Sequence, residues 1–528
     1  MDKELQCLKD LGTWKVVPRP RNRNVISVRW VFDVKTNADG SVERLKARLV
    51  ARGFSQEPGI DYKFSYAPVV RLESVRLFLT AGIKLHMDIR MYDFSSAYLN
   101  SVLKEELYCE LPPEYVQELA GPDATSQTHV CLLQKALYGL VQAGHCWNKT
   151  FDSKVKKTKG VRQLKSDPCV YVIDDPSSPI GVSMLLLYVD DVLTIGNGFA
   201  ATMARLSKLF RLRDLDFPQQ FLGLAITRIP DGVLISQRKY VEKVLHNFSM
   251  LDSNPAPTPM AAGTKLTTDM CPTTPSDIQD MSRIPYREVV GCLRYLVTAS
   301  RPDIAYAVKE LSRFLQNPGH QHWQAAKRVL RYLNGTRDLG IHIPSPPRPR
   351  RSPTLELVTF CDADLAGETD TRKSTTGIVI FLDKSPVLWK SKQQKTVSTS
   401  TQAAELTAVA TATEDTLWLR NLLAESGLTQ SGPTTIHEDN SAAALWANGQ
   451  QLGRARYLAI RFAFIREQVQ LGAISVARIS TSDQRADALT KNLGTVLFRR
   501  ALLHLGLLDA CSLPCSSPGN TSRGGVSE

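Results

Sequence analysis

The sequence predicts a mixed α+β/α/β chain of more than one domain, on three observations. At 528 residues it is too long for one ordinary core. β-rich runs (Val25 to Val34, Val182 to Ile195) alternate with helical patterns (Ser74 to Leu85, Ala143 to Lys157), the mixture expected of an α+β unit. Two proline-rich stretches then interrupt the pattern, and a second β-then-α unit follows the later of them.

Each segment has its own justification. The first runs to about Met250, and the polar connector from Asn254-Pro255-Ala256-Pro257 to Pro275-Ser276 follows it. Helix-like blocks cover Tyr286 to Ser300, Pro302 to Leu315 and His322 to Leu333, the last closed by Asn334-Gly335, a helix C-cap signal. The stretch Ile343-Pro344-Ser345-Pro346-Pro347-Arg348-Pro349-Arg350-Arg351-Ser352-Pro353 can form neither helix nor central strand and should be extended. Its arginines either touch nucleic acid or stand solvated. Leu355 to Leu507 is the second β-then-α unit, and the Ser/Gly/Pro-rich tail is expected to be disordered. No internal repeat is evident.

Composition narrows the class. A hydrophobic share of 43% and a charged share of 22% are ordinary for a globular chain. The formal charge of +13 suits a polyanionic partner, because cationic side chains displace counterions from phosphates. Ten cysteines without paired spacing point to reduced thiols and an intracellular setting, and Cys511 and Cys515 lack the second pair a zinc site needs. The longest apolar run, near Met184 to Leu187, is far too short to span a membrane. Met1-Asp2-Lys3-Glu4 opens without the apolar core of a secretory signal, so the expectation is a chain that is neither secreted nor membrane-bound.

The chemistry is concentrated at Tyr188-Val189-Asp190-Asp191, placed between the apolar runs Val182 to Leu187 and Val192 to Ile195. The arrangement reads as a β-hairpin with two acids at its tip. Adjacent carboxylates repel, and a hard cation with oxygen ligands relieves the repulsion. A tip holding two such ions is suited to phosphoryl transfer, in which the ions clamp the attacking and leaving oxygens roughly 3.5–4 Å apart. Taken alone, such a dipeptide is more often a solvated turn. A further carboxylate from another strand would complete such a site. Asp93, in Met91-Tyr92-Asp93-Phe94-Ser95-Ser96-Ala97-Tyr98-Leu99-Asn100, is the candidate, with Asp93 and Asp190 as the shared ligands and Asp191 secondary or structural.

With these boxes the chain resembles the reverse transcriptase and RNase H portion of copia-type LTR retrotransposon Pol polyproteins. The resemblance rests on Trp30-Val31-Phe32, Asp39-Gly40-Ser41, Lys46-Ala47-Arg48-Leu49-Val50-Ala51-Arg52-Gly53-Phe54-Ser55-Gln56, Gly59-Ile60-Asp61-Tyr62, Ala67-Pro68-Val69-Val70 and Ala97-Tyr98-Leu99-Asn100. It continues through Ala136-Leu137-Tyr138-Gly139-Leu140, Gln142-Ala143, the Tyr-Val-Asp-Asp box, Phe221-Leu222-Gly223, Ser236-Gln237-Arg238-Lys239-Tyr240 and Arg301-Pro302-Asp303-Ile304-Ala305-Tyr306-Ala307-Val308. Order and spacing are specific where single boxes are not.

That resemblance implies a right-hand polymerase followed by an RNase H-like domain. Fingers and palm would fill 1–250, a helical thumb/connection-like region 251–342, a Pro/Arg linker 343–354, the RNase H-like domain 355–507 and a disordered tail 508–528. Lys46 and Arg48 would meet the triphosphate of the incoming nucleotide, a point charge and a bidentate fork; a solvated strand face is the plain alternative. Tyr98 would lie beneath the incoming sugar and exclude a 2′-hydroxyl, unless it is an ordinary buried aromatic. Gly139 would let backbone approach the nucleotide, or simply serve a turn.

The same resemblance gives the second site Asp362, Glu405, Asp439 and Asp487, the last opening a final helix. The implied cofactor is Mg²⁺, two per site, with Mn²⁺ as a substitute. The implied partners are an RNA template, a DNA primer, the RNA–DNA hybrid and dNTPs, and the implied location is a cytoplasmic particle, the nucleus, or both. The chain departs from the family at Ala403, where an acid is usual, along 452–463, where His and acid are usual, and at Ser101, Val141 and His145. The expected function is RNA-directed DNA polymerase with RNase H; the alternative is a decayed remnant that at most binds nucleic acid.

Overall fold

The computed structural model describes residues 1–36, 41–347, 354–441 and 459–510. The Asp39-Gly40 pair, the arginines of the Pro/Arg stretch, the segment 452–458 and the tail from 511 lie outside the described residues. By contacts the chain forms two compact units, Met1–Arg71 with Asp88–Phe217, and Leu72–Met87 with Pro218–Glu528. Both are mixtures of helix and strand, as expected for a multidomain α/β chain. No helix among the described residues is long and apolar enough to cross a membrane.

The first unit begins with α1 (Asp2–Asp10), β1 (Trp14–Pro18), β2 (Val25–Ile26), β3 (Val28–Thr36) and β4 (Val42–Ala51). The chain then passes through α2 (Leu72–Lys84), which belongs to the second unit, and returns as β5 (Ile89–Phe94), β6 (Val102–Cys109), α3 (Val116–Ala120), β7 (His129–Lys135) and α4 (Ala143–Val155). It ends with β8 (Arg162–Gln163), β9 (Val170–Asp174), β10 (Val182–Tyr188), β11 (Asp191–Ile195), α5 (Ala200–Ser207) and β12 (Leu212–Asp214). β3 and β4 form a hairpin of their own, while β1-β7-β6-β2 is a four-stranded sheet. The sheet that matters most for the site is six-stranded, in the order β12-β5-β11-β10-β9-β8, antiparallel throughout. β10 is buried along almost its whole length, which is why it reads as a continuous apolar run and not as an alternation.

The second unit holds two five-stranded sheets and a helical layer. β13 (Gln220–Phe221), β14 (Leu224–Ile229), β15 (Gly232–Ser236), β16 (Leu339–Pro344) and the late β22 (Leu507–Asp509) make one sheet. Between β15 and β16 run α6 (Arg238–Asn247), α7 (Pro275–Ser282), α8 (Tyr286–Ala299), α9 (Ala305–Ser312) and α10 (His320–Gly335). Of these, α6, α8, α9 and α10 share a core built on Val289, Leu293, Leu311, Val329 and Leu333. α10 runs two residues past the expected stop at Leu333 and includes Gly335. A Cβ at that position would stand 2.8 Å from Pro255, so the glycine serves a close approach and not a left-handed cap.

The other sheet comprises β17 (Leu357–Asp364), β18 (Thr375–Leu382), β19 (Ser385–Gln393), β20 (Thr434–Glu438) and β21 (Ile474–Arg478), ordered β19-β18-β17-β20-β21. β17 runs parallel to β20, and β20 to β21; the remaining pairs are antiparallel. α11 (Thr401–Glu425) packs across β17, β18 and β20, and α12 (Ala459–Gln470) packs on α11. The last helix, α13, spans Thr495–His504. Asp487 does not open it, as the sequence suggested. It begins a single 3₁₀ turn over Asp487–Leu489, and Gly494 is the N-cap of α13.

Candidate active sites

In the first unit β10 and β11 are joined by a two-residue turn, Val189-Asp190, with Tyr188 paired to Asp191. Val189 has a φ of 53°, a strained conformation for a β-branched residue, costing about 1–3 kcal/mol. Two hydrogen bonds hold it there. The indole N–H of Trp147 donates to the Val189 carbonyl, and the Phe94 N–H donates to the Asp190 carbonyl at 2.8 Å. Trp147 is itself locked edge-on between Phe94 and Phe210. The tip that carries the acids is therefore fixed by a buried aromatic cluster on α4 and β5.

Strand pairing supplies the third acid. β5 places Asp93 opposite Asp191, and β12 places Arg213 opposite Asp93 from the other side. The Arg213 guanidinium donates twice to one Asp93 oxygen, at 3.1 and 2.6 Å. Burial, and then the charge of Asp93, raises the Asp190 carboxyl, while Arg48 and Lys46 pull it back. Asp191 is pushed up to about 6 by burial, then by Asp190 and Asp93.

Asp93 and Asp190 open onto a cleft of about 680 Å³ that Lys46, Arg48, Tyr138 and Arg213 also line. Arg48 lies over the Tyr138 ring at 5.6 Å, and Tyr98 meets the same ring edge-on at 5.4 Å. Burial, and then the Asp190 charge, raises the Tyr98 hydroxyl, so Tyr98 is both half-buried and close to the acids. Gly139 has φ 86°, and a Cβ there would stand 2.1 Å from the Ala51 carbonyl oxygen. The glycine answers to the neighbouring strand β4. Among the family departures, His145 holds the Tyr66 carbonyl at 2.8 Å and stacks on Phe64, and Val141 donates its N–H to Gln56.

In the second unit the parallel pairing of β17 and β20 brings Asp362 and Asp439 to one end of the sheet. α11, capped by Ser400 through the Ala403 N–H at 3.2 Å, delivers Glu405 to the same end from its first turns. Asp362, Glu405 and Asp439 each offer an oxygen within 4.8 Å of the others. Ala403 is buried, so an acid there would need a partner of its own. Asp487 joins through a cation: Lys491 lies 2.9 Å from Asp487 and 3.9 Å from Asp362. Asp362 also accepts a hydrogen bond from the Thr490 hydroxyl, and burial pushes its carboxyl up to about 6.

A further acid, Glu438, escaped the sequence reading. It is fully buried, accepts the Asn440 N–H at 3.1 Å and faces the Cys361 thiol at 3.3 Å. Burial raises its carboxyl, and burial together with Glu438 raises Glu405 far above the usual range. The alternation Thr434, Ile436, Glu438 on the buried face of β20 was the available signal. Arg213 and Trp147 were also missed, and neither belongs to a readable box.

The second cluster fits a divalent cation. It is rich in oxygen ligands, and Oε2 of Glu405 is buried without a hydrogen-bond partner among the described residues. The first site fits as well, through acids raised by burial and then by one another's charge at a fixed turn.

Residues 11–262 match the model of the family "Reverse transcriptase (RNA-dependent DNA polymerase)". The chain is 38% identical over 496 residues to the retrovirus-related Pol polyprotein from transposon TNT 1-94 of Nicotiana tabacum, covering 93% of this chain and 36% of that protein. It is 38% identical over 513 residues to the Pol polyprotein from transposon RE2 of Arabidopsis thaliana, covering 96% of this chain and 34% of that one. The putative transposon Ty5-1 protein of Saccharomyces cerevisiae is 32% identical over 328 residues, which is 61% of this chain and 99% of that protein. The chain thus spans about a third of the length of the plant Pol polyproteins it matches.

Proposed function

This chain belongs to the reverse transcriptase family of copia-type retrotransposon Pol polyproteins, and on that premise we propose that it extends a DNA primer on an RNA template. The observation that carries the reading is the union of Asp93 and Asp190 at one end of a single sheet, in a cleft shared with Lys46 and Arg48. Asp93 and Asp190, with Asp191 behind them, would hold Mg²⁺ or Mn²⁺, which when bound neutralises the charge that develops on the transferred phosphate. Lys46 and Arg48 bind the triphosphate from the cleft wall. Tyr138 lines the cleft and Tyr98 packs edge-on against it, an aromatic pair against which a deoxyribose would fit and a 2′-hydroxyl would be crowded. Trp147 keeps the turn rigid, so positioning and charge neutralisation do most of the work.

The second cluster supports a ribonuclease acting on RNA–DNA hybrids. Asp362, Glu405 and Asp439 would hold the metal, and Asp487, steadied by Lys491, would complete the acid set.

The test is Mg²⁺-dependent extension of a DNA primer on an RNA template, comparing the protein with Asp190→Asn. Extension that disappears in the variant is the expected result. A folded wild-type protein that does not extend would overturn the reading in favour of a remnant that binds nucleic acid without catalysis.

A further inference from the structure

The nucleotide cleft of the first unit contains an acid that no role above accounts for. α1 buries Leu5 and Leu8, packs on β4 and is tied down by Lys9 to Glu118 at 2.6 Å. The tyrosine hydroxyl of Tyr115 donates to Asp2, which anchors the first turn of α1 as well. The helix is therefore fixed, and its first turn carries Glu4 into the cleft that Asp93, Asp190, Lys46 and Arg48 line. The Glu4 carboxylate faces Arg48 and Lys46, and these two cations and the nearby Leu49 main chain all act to lower its pKa. Its Oε1 is buried without a hydrogen-bond partner among the described residues. Burial raises the Glu4 carboxyl even though two cations oppose the shift.

We propose that Glu4 competes with the phosphates of the incoming nucleotide for Lys46 and Arg48, and so sets how tightly the cleft binds a deoxynucleoside triphosphate. The inference rests on the polymerase reading of this site. A carboxylate beside two cations lowers the positive potential that a polyanionic ligand meets. Its buried, unpartnered oxygen means that α1 gains little from keeping it there. A mere helix-end acid would behave differently, because Asp2 already offers negative charge to the same first turn.

The experiment measures equilibrium binding of a fluorescent deoxynucleoside triphosphate to the full chain with primer, template and Mg²⁺, in wild type and Glu4→Gln. Extension kinetics on the same complexes accompany it. The expected result is a Kd and a KM about three- to tenfold lower in the variant, with kcat unchanged. The difference should shrink as salt rises from about 0.05 to 0.5 M, because the effect is electrostatic. Glu4→Lys should lower the Kd at least as far, and thermal melting of each variant verifies that α1 remains docked. A Kd that is unchanged, raised or insensitive to salt overturns the proposal, as does a wild type and variant that both fail to bind. Binding that responds to Glu4 without any extension would instead sink the polymerase reading and reduce the inference to control of nucleotide binding in this cleft.

Discussion

The two acid clusters use the same functional group and handle its crowding differently. In the first unit the carboxylates are interleaved with the chain's own cations. Asp93 is gripped by Arg213, and Asp190 is faced by Arg48 and Lys46. In the second unit Asp362 and Glu405 are each 4% exposed and Glu438 is 0% exposed, with Lys491 as the cation nearest Asp362. Like charges buried so close are tolerated only with protons or a bound cation among them. The first cluster thus keeps cations of the chain itself beside its acids. The second is held in reserve until a metal or protons arrive.

The largest expected effects separate the two clusters by function. Asp190→Asn should lower primer extension by about 10²–10³-fold while leaving hybrid cleavage near wild type, and Asp362→Asn should do the reverse. Extension and cleavage measured on one preparation of each variant provide the check. Loss of both activities in either variant would break the comparison, since it would mean that one site serves both reactions.

A smaller effect follows from the protons. Asp362 is raised from 3.8 to about 6, so the metal-free fold is favoured while this group is protonated. That contribution is fully present below the unfolded value near 3.8 and is lost as pH climbs through about 6, amounting to about 3 kcal/mol from this group. Mg²⁺ should accordingly raise the melting temperature more at about pH 7.5 than at about pH 5.5, and EDTA should abolish the difference. Glu438→Gln, which keeps the shape and removes the acid, should stabilise the metal-free protein at about pH 7.5 by about 1–2 kcal/mol. Calorimetry with and without EDTA reads both; a Mg²⁺ shift independent of pH would remove the proton account of the second cluster.

Much of this was legible in the sequence because local pattern and chemistry coincided. The hairpin at Asp190 follows from two apolar runs around two acids, and Asp93 follows from a strand that ends in an acid before a turn. Long-range pairing was not legible. β12 is only Leu212–Asp214, without periodicity to mark it, and yet it brings Arg213 to Asp93. α2 reads as an apolar helix, but nothing local shows that its Arg76 is 2% exposed, bonded to the carbonyls of Val387, Thr298 and Ala299 and stacked on Trp389 at 4.0 Å. Glu438 shows the opposite failure: its strand face was readable, but the neighbouring Asp439 matched the expected pattern. Asp487 was found as an acid and misplaced at a helix start, because one 3₁₀ turn resembles the first turn of a helix in sequence.

The smallest effect concerns Arg213, and it sharpens the contrast most. Its guanidinium is half exposed, so the pair with Asp93 contributes little to folding. Its consequence lies in competition. While Arg213 donates twice to one Asp93 oxygen, that oxygen is engaged and a cation must displace or share it. Arg213→Gln should therefore lower the Mg²⁺ concentration for half-maximal extension by roughly two- to fivefold, with melting temperature unchanged. In the second cluster Lys491 bonds Asp487 at 2.9 Å and stands 3.9 Å from Asp362, so Lys491→Met should shift the metal dependence of cleavage less than that of its stability. Titrations of Mg²⁺ against each activity decide the matter. If Arg213→Gln raises the Mg²⁺ requirement instead, the guanidinium orients Asp93 for the metal, and the first cluster is preorganised by its cations and not merely neutralised by them.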